Sequence, residues 1–148
     1  MASEKLFILV IGCGRLGSYL ASQLSHGGHS VVTVDTDPQA FDALSAEYSG
    51  FRVEGDAAEL AVLKQARMDK ADLVIAATRE DNVNLMVAHV ARRIFKVPHV
   101  LARVFDPRRE EIYRDLGVDT VCPTTIAADA LLAKLAEGGL SAGGGKNL

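Results

Sequence analysis

An unbroken apolar run, Leu6-Phe7-Ile8-Leu9-Val10-Ile11, ends directly on Gly12-Cys13-Gly14-Arg15-Leu16-Gly17. A run of that length without polar alternation is what a strand buried on both faces requires, and such strands belong to parallel sheets. The three glycines stand in the spacing G-x-G-x-x-G, and the segment behind them carries helical periodicity. Leu16, Leu20 and Leu24 share one face, and Gly27-Gly28 ends the helix. Strand, glycine turn and helix in that order open a doubly wound α/β fold.

The alternation continues to the end of the chain. Val31 to Val34 reads as a second strand, and Asp37-Pro38 as a cap and first turn with Phe41 and Leu44 facing inward. Phe51 to Glu54 reads as a third strand, followed by a helix marked by Leu60 and Leu63. Asp72 to Ala77 is the fourth strand. Residues 81 to 95 read as a long helix with Val83, Met86, Val87, Val90 and Ile94 inward. Val97 to Val104 holds the fifth strand, and Asp106-Pro107 opens a helix carrying Ile112 and Leu116. Val118 to Val121 is a weaker sixth strand, and Ile126 to Leu135 a last helix. The expected architecture is a Rossmann-like parallel sheet of about six strands in the order 3-2-1-4-5-6. One domain spans residues 1–137, and a glycine-rich tail, flexible by composition, spans 138–148.

The glycine motif gains weight from its context, because Asp35 closes the next strand 18 residues after Gly17. Gly12 permits the tight turn, Gly14 lets a pyrophosphate approach the main chain, and Gly17 lets the helix pack closely on the sheet. The helix start, with Cys13, Arg15 and Leu16, offers free N–H groups and partial positive charge to phosphates. Asp35, with Thr36 beside it, accepts hydrogen bonds from ribose hydroxyls. A 2′-phosphate would meet Asp35 and Asp37 with no Arg in that loop, so NADP is disfavoured against NAD(H) or ADP/ATP. Arg15 could reach a terminal phosphate. Asp56 and Ala57 follow the third strand, where Asp56 either accepts from an adenine amino group or caps the next helix. Ala77, Thr78, Asp81, Asn82 and Asn84 cluster where the fourth strand meets its helix, with Asp81 read first as a cap. Arg103 is expected to emerge at the carboxyl end of the fifth strand and face the cleft.

Net charge is −3, and no Lys/Arg run exceeds two residues, which argues against a nucleic-acid partner. His26, His29, His89 and His99 lack metal-ligand spacing, and His26 and His29 are expected to be exposed. Cys13 and Cys122 end strands three steps apart, about 14 Å against the roughly 7 Å that a disulfide tolerates. Both thiols are expected free, with Cys13, at a helix N-terminus, the more reactive. No catalytic residue and no metal ligand is assigned.

Val10 to Gly17, Val34-Asp35-Thr36-Asp37, Gly55-Asp56-Ala57, Ala76-Ala77-Thr78, Asp81-Asn82-Val83-Asn84 and Ala102-Arg103-Val104 together resemble the TrkA N-terminal, or RCK (KTN), domain. The resemblance covers about residues 6 to 136. It implies a cytoplasmic regulatory subunit, peripheral to the inner face of the cell membrane, that senses NAD(H), ADP or ATP. It further implies a homo-oligomer, dimer-based and up to a tetramer or octameric ring, acting on a potassium-transporter membrane subunit. In such domains the last helix commonly crosses to a neighbouring subunit, which makes Ile126 to Leu135 the candidate assembly element. Two departures stand out. No second RCK domain follows the glycine tail, as in a stand-alone subunit or a truncated chain. Pro123 is followed by Thr124 and Thr125, where relatives that hold magnesium triphosphate often carry Glu. The competing expectations are a small NAD-dependent oxidoreductase, a severed dehydrogenase domain, and the nucleotide-binding part of a glutathione-gated potassium efflux system. Against an enzyme, no His or Tyr-Lys pair is placed to act as acid or base over a nicotinamide.

Overall fold

Phe7–Ile11 forms β1, and its side chains divide between two cores because successive residues of a strand point to opposite faces. Ile8 and Val10 enter a cluster with Val31, Ala21, Phe41, Leu44 and Tyr48. Leu9 and Ile11 enter the larger cluster on the other face. All four are essentially inaccessible, each contributing about 1.5–3 kcal/mol of apolar burial. The computed structural model describes residues 4–140.

The remaining strands are β2 (Ser30–Asp35), β3 (Phe51–Glu54), β4 (Leu73–Ala76), β5 (His99–Arg103) and β6 (Asp119–Val121). They form one sheet in the order β3-β2-β1-β4-β5-β6, and every neighbouring pair is parallel. The expected order is the observed one. Helix α1 (Arg15–His26) and a 3-10 helix, Pro38–Ala43, contribute Ala21 and Phe41 to the core on the Ile8 side. Helices α2 (Leu60–Gln65), α3 (Asp81–Arg93) and α4 (Glu110–Asp115) contribute to the core on the Leu9 side. Helix α5 (Pro123–Glu137) follows β6.

Several inward faces differ from expectation, and packing explains each. In α1 the residues against the sheet are Gly17, Ser18, Ala21 and Ser25, while Leu16, Leu20 and Leu24 lie half-buried at the flanks. Small residues are needed there because the helix approaches the β1 turn too closely for larger ones. In α3 the buried residues are Asn84, Val87, Ala88 and Ala91. Ile94 falls beyond the last turn and is 61% exposed. In α4 the core residue is Tyr113, 2% exposed, whereas Ile112 and Leu116 face outward. The Asp37-Pro38 segment is a 3-10 helix, with the Asp37 carboxylate accepting the Gln39 N–H at 2.9 Å. His26 is exposed, but His29 is half-buried and its Nδ1 accepts the Leu6 N–H at 3.0 Å.

The two faces of β4 and β5 are covered unequally. Val74, Ala76, Val100 and Ala102 are fully buried on the α3 side. Leu73, Ile75, Leu101 and Arg103, on the α1 side, are only half-buried, and Val121 of β6 continues that row at 41% exposure. No residue of α5 is buried, and Leu131 is 65% exposed. The helix ends at Gly138 and Gly139, where the Leu140 N–H reaches the Leu135 carbonyl at 3.0 Å. Residues 138–140 therefore belong to a helix cap rather than to a tail. The rest of the expected tail lies outside the described residues. No helix among the described residues is long and apolar enough to cross a membrane.

Candidate functional site

Because all strands run parallel, their carboxyl ends share one rim, and the turns leaving β1, β2, β4 and β5 meet there. Backbone bonds tie the rim together. Gly12 donates to the Val34 carbonyl at 2.7 Å, Ala77 to Ile11 at 2.8 Å, and Gly55 to Asp35 at 2.9 Å. In open α/β sheets this rim, beside the strand where the order reverses, is where ligands bind.

The three glycines of the β1–α1 turn have different reasons to be glycine. Gly12 sits at φ +99°, and a Cβ there would lie 2.8 Å from the Ala77 carbonyl oxygen. A Cβ on Gly17 would fall on the carbonyl oxygen of Gly12. Both are demanded by the protein's own packing. Gly14 is not: its φ of −76° suits any residue, and a Cβ would meet nothing within 4 Å. Gly14 is also the N-cap of α1, and no side chain caps the first-turn amides of that helix. The first turn contains no acid that would offset its positive end.

Asp35 ends β2 and faces this turn. Its Oδ2 accepts the Cys13 N–H at 2.8 Å and its Oδ1 accepts the Asp37 N–H at 2.9 Å. A carboxylate has about four acceptor sites, so each oxygen retains capacity for a further donor. Thr36 beside it is exposed. The Cys13 thiol is 1% exposed, and burial, followed by the Asp35 charge, pushes it up to about 11. That corrects the expected reactivity: the helix-end field is outweighed, and the thiolate is disfavoured. Cys13 and Cys122 are both free and buried.

Asp56 is exposed and its Oδ1 accepts the Ala58 N–H at 2.8 Å, while Glu59 occupies the N-cap of α2. Ala57 beside it is buried. Ala77 is buried against Gly12. Thr78 and the fully buried Asn84 interlock. Asn84 Oδ1 accepts from the Thr78 N–H at 2.9 Å and its hydroxyl at 2.7 Å. Its Nδ2 donates to the Thr78 and Arg103 carbonyls, both at 3.0 Å. One side chain thus joins the ends of β4 and β5. Asp81 is not the cap of α3, a place held by Glu80. Its carboxylate instead accepts the Phe105 N–H at 2.7 Å and the Asp106 N–H at 3.3 Å, fastening the turn after β5. Tyr113 donates its hydroxyl to the Asp81 carbonyl at 2.7 Å. Burial and the Asp81 charge raise that phenol above its ordinary value. Asn82 is exposed, and its Oδ1 accepts from Arg109 Nη1 at 3.3 Å. Arg103 closes β5, but it does not line the groove beside the glycine turn; its guanidinium lies 4.1 Å from the Phe105 ring centroid, and its buried Nε has no hydrogen-bond partner.

A groove of about 680 Å³ opens beside the glycine turn, lined by Gly14, Arg15, Tyr19, Asp37, Gln39 and Arg79 among others. Arg79 was not among the sequence candidates, although its place directly after Thr78 puts it on the same rim. The ion pairs among the described residues, Arg108–Asp106 and Arg109–Asp81, involve neither Arg15 nor Arg79. Arg15 and Arg79 are the two cations in the groove lining. No cluster of metal-ligating side chains occurs among the described residues.

The fold is shared with known proteins. The chain is 40% identical over 134 residues to the Trk system potassium uptake protein TrkA of Streptomyces coelicolor, a match covering 90% of this chain and 60% of that protein. The chain spans about 60% of the length of the curated relatives it matches first. The TrkA-N domain of the Escherichia coli inner membrane protein ybaL superposes with a TM-score of 0.78 at 22% identity, covering 90% of this chain and 98% of that one. The GsuK channel bound to NAD superposes with a TM-score of 0.77 at 25% identity, covering 93% of this chain and 24% of that one. Another GsuK structure is bound to ADP. The model of the TrkA-N domain family matches residues 8–124. On a match that takes in β1 through the start of α5, the chain belongs to the TrkA-N domain family.

Proposed function

We propose that this chain is the non-catalytic, nucleotide-sensing part of a potassium-transport regulator. The observation that carries the reading is Gly14. Packing explains Gly12 and Gly17, but nothing in the protein itself requires glycine at 14. A ligand that needs the main chain bare does. The uncapped first turn of α1 supplies donors for a diphosphate, and Asp35 supplies acceptors for a ribose. NAD(H) and ADP or ATP are the ligands of choice, and the acids Asp35 and Asp37 disfavour a 2′-phosphate. The proposed contacts are Gly12, Cys13, Gly14, Arg15, Leu16, Gly17, Asp35, Thr36, Asp56, Ala57, Ala77, Thr78, Asn82 and Arg103. The nucleotides on GsuK support this choice, and the names of the TrkA relatives support the potassium setting.

The same reading places the protein in the cytoplasm, against a potassium-transporter membrane subunit, as a homo-oligomer. The half-covered α1-side row of β4–β6 and the unburied apolar α5 are complementary: a second copy's α5 would cover the row. Nucleotide binding at the rim would then alter how copies pack and so act on the membrane partner.

Calorimetric titration with NAD and with ADP tests the site. The parent is expected to bind at least one of them, and Gly14→Val to lose binding while remaining folded, with a melting temperature lowered by no more than a few degrees. Equal binding by parent and Gly14→Val refutes the reading, and so does steady substrate turnover coupled to NAD reduction.

A further inference from the structure

The opposite edge of the sheet carries a second cavity, and it does not rest on the nucleotide reading. It is an open cleft of about 430 Å³ at the amino ends of β1, β2 and β3, in the size range of small-molecule sites. The five residues of β1 separate it from the glycine turn by roughly 16 Å.

Its lining is chemically one-sided. Lys5, Arg67 and Lys70 contribute three cations, and no carboxylate lines it. The neighbouring acids Glu4, Asp69 and Asp72 are not among the lining residues. Asp72 accepts the Phe7 N–H at 2.8 Å. Among the described residues no ion pair involves Lys5, Arg67 or Lys70. His29 adds a fourth donor. Its Nδ1 accepts the Leu6 N–H, so the neutral ring carries its proton on Nε2. Arg67 holds φ +64°, ψ +42°, the left-handed position that ends α2 directly after its C-cap Ala66. The lining also holds apolar side chains, Phe7, Val32 and Phe51, the last a ring left 74% exposed on an edge strand.

We propose that this cavity is a binding site for a small phosphomonoester bearing a flat apolar group, the phosphate between Lys5, Arg67 and Lys70 and the apolar part against Phe51. Cations and an imidazole donor satisfy a phosphate dianion without needing an acceptor in the wall. An exposed ring beside them suits a planar group. The rim site recognises ligands through main-chain amides and the Asp35 carboxylate. This one recognises them through side-chain cations, so the two differ in what they select.

Phenyl phosphate is the probe, followed by amide chemical shifts of the full chain. Saturable shifts at His29, Gly50, Phe51 and Arg67 are expected, with the same affinity when NAD saturates the glycine turn. Arg67→Gly suits the left-handed position while removing a cation, so this variant keeps its fold. Together with Lys70→Gln it is expected to weaken phenyl phosphate at least about tenfold. Phenol, which keeps the ring and lacks the charge, is expected to bind at least about tenfold more weakly than phenyl phosphate. The proposal is overturned by shifts confined to residues 12–17, by no saturable shift at the cavity, by parent-like affinity in the double variant, or by phenol matching phenyl phosphate. Equal NAD binding by parent and Gly14→Val would refute the nucleotide reading and leave the phenyl phosphate shifts, the double-variant comparison and the phenol comparison unchanged.

Discussion

The Asp35 carboxylate holds the Cys13 main-chain N–H at 2.8 Å, so the acid that ends β2 positions the glycine turn that ends β1. Its other oxygen holds the Asp37 N–H at 2.9 Å, and one side chain thereby spans two turns of the rim. Hydrogen bonds to a charged acceptor contribute about 1.5–3 kcal/mol each when buried, less where solvent competes. Asp35 is half-buried. Asp35→Ala is expected to lower stability by about 2 kcal/mol, read by thermal unfolding. Affinity for NAD or ADP should fall by at least about tenfold in calorimetry, since the ribose acceptors go with it.

Gly17 and Gly14 should respond very unequally to the same methyl group. Gly17→Ala drives a Cβ into the Gly12 carbonyl oxygen, and the turn and α1 must separate. A loss of about 3 kcal/mol or more is expected. Gly14→Ala meets open space at an ordinary φ and should cost no more than about 1 kcal/mol, the scale of an N-cap change. Paired denaturant curves of the two variants check this, and equal losses would contradict it.

Asn84 offers a pH test. Its Nδ2 faces the carbonyls of Thr78 and Arg103, so Asn84→Asp places a carboxylate oxygen against two acceptors in a fully buried position. At neutral pH the cost should be about 3 kcal/mol. Burial and the two carbonyls raise the folded-state value of this acid above the unfolded value of about 3.9. Stability relative to parent should therefore be recovered below pH 4 and lost as pH rises towards neutrality. Parallel unfolding curves at acid and neutral pH measure the difference.

Cys13 gives the complementary window at alkaline pH. Burial and Asp35 push its thiol up to about 11, above the ordinary 9.0. The folded protein keeps that proton where the unfolded chain releases it. The resulting stabilisation is complete below pH 9 and is lost as pH rises from 9 towards 11. Cys13→Ser should lack this component of the decline, and iodoacetamide should label Cys13 slowly at pH 8 in the folded protein. Labelling as fast as in denaturant would contradict the assignment.

Sheet order and the rim were legible because they rest on short-range signals. The apolar run of β1 admits only a doubly buried strand, and Gly12 and Gly17 mark the close approach that follows it. Helix faces were less legible. Leu16, Leu20 and Leu24 satisfy helical spacing, yet the sheet accepts only Gly17, Ser18, Ala21 and Ser25 at that distance. Hydropathy ranked Ile112 above Tyr113, but the Tyr113 hydroxyl finds the Asp81 carbonyl and its ring fills the core. Asp81 has the composition of a cap and acts instead across 24 residues of sequence, on Phe105. Arg79 shows the same difficulty: the loop that carries it meets the glycine turn only once the sheet is assembled.

The uneven cladding of β4 and β5 has a thermodynamic corollary. With Ile75 and Leu101 half-covered and α5 lying apart from its own core, a second copy seated on that face would bury apolar area that one polypeptide leaves wet. Mass action then enters the folding equilibrium, and the melting temperature of the purified protein should climb with its concentration.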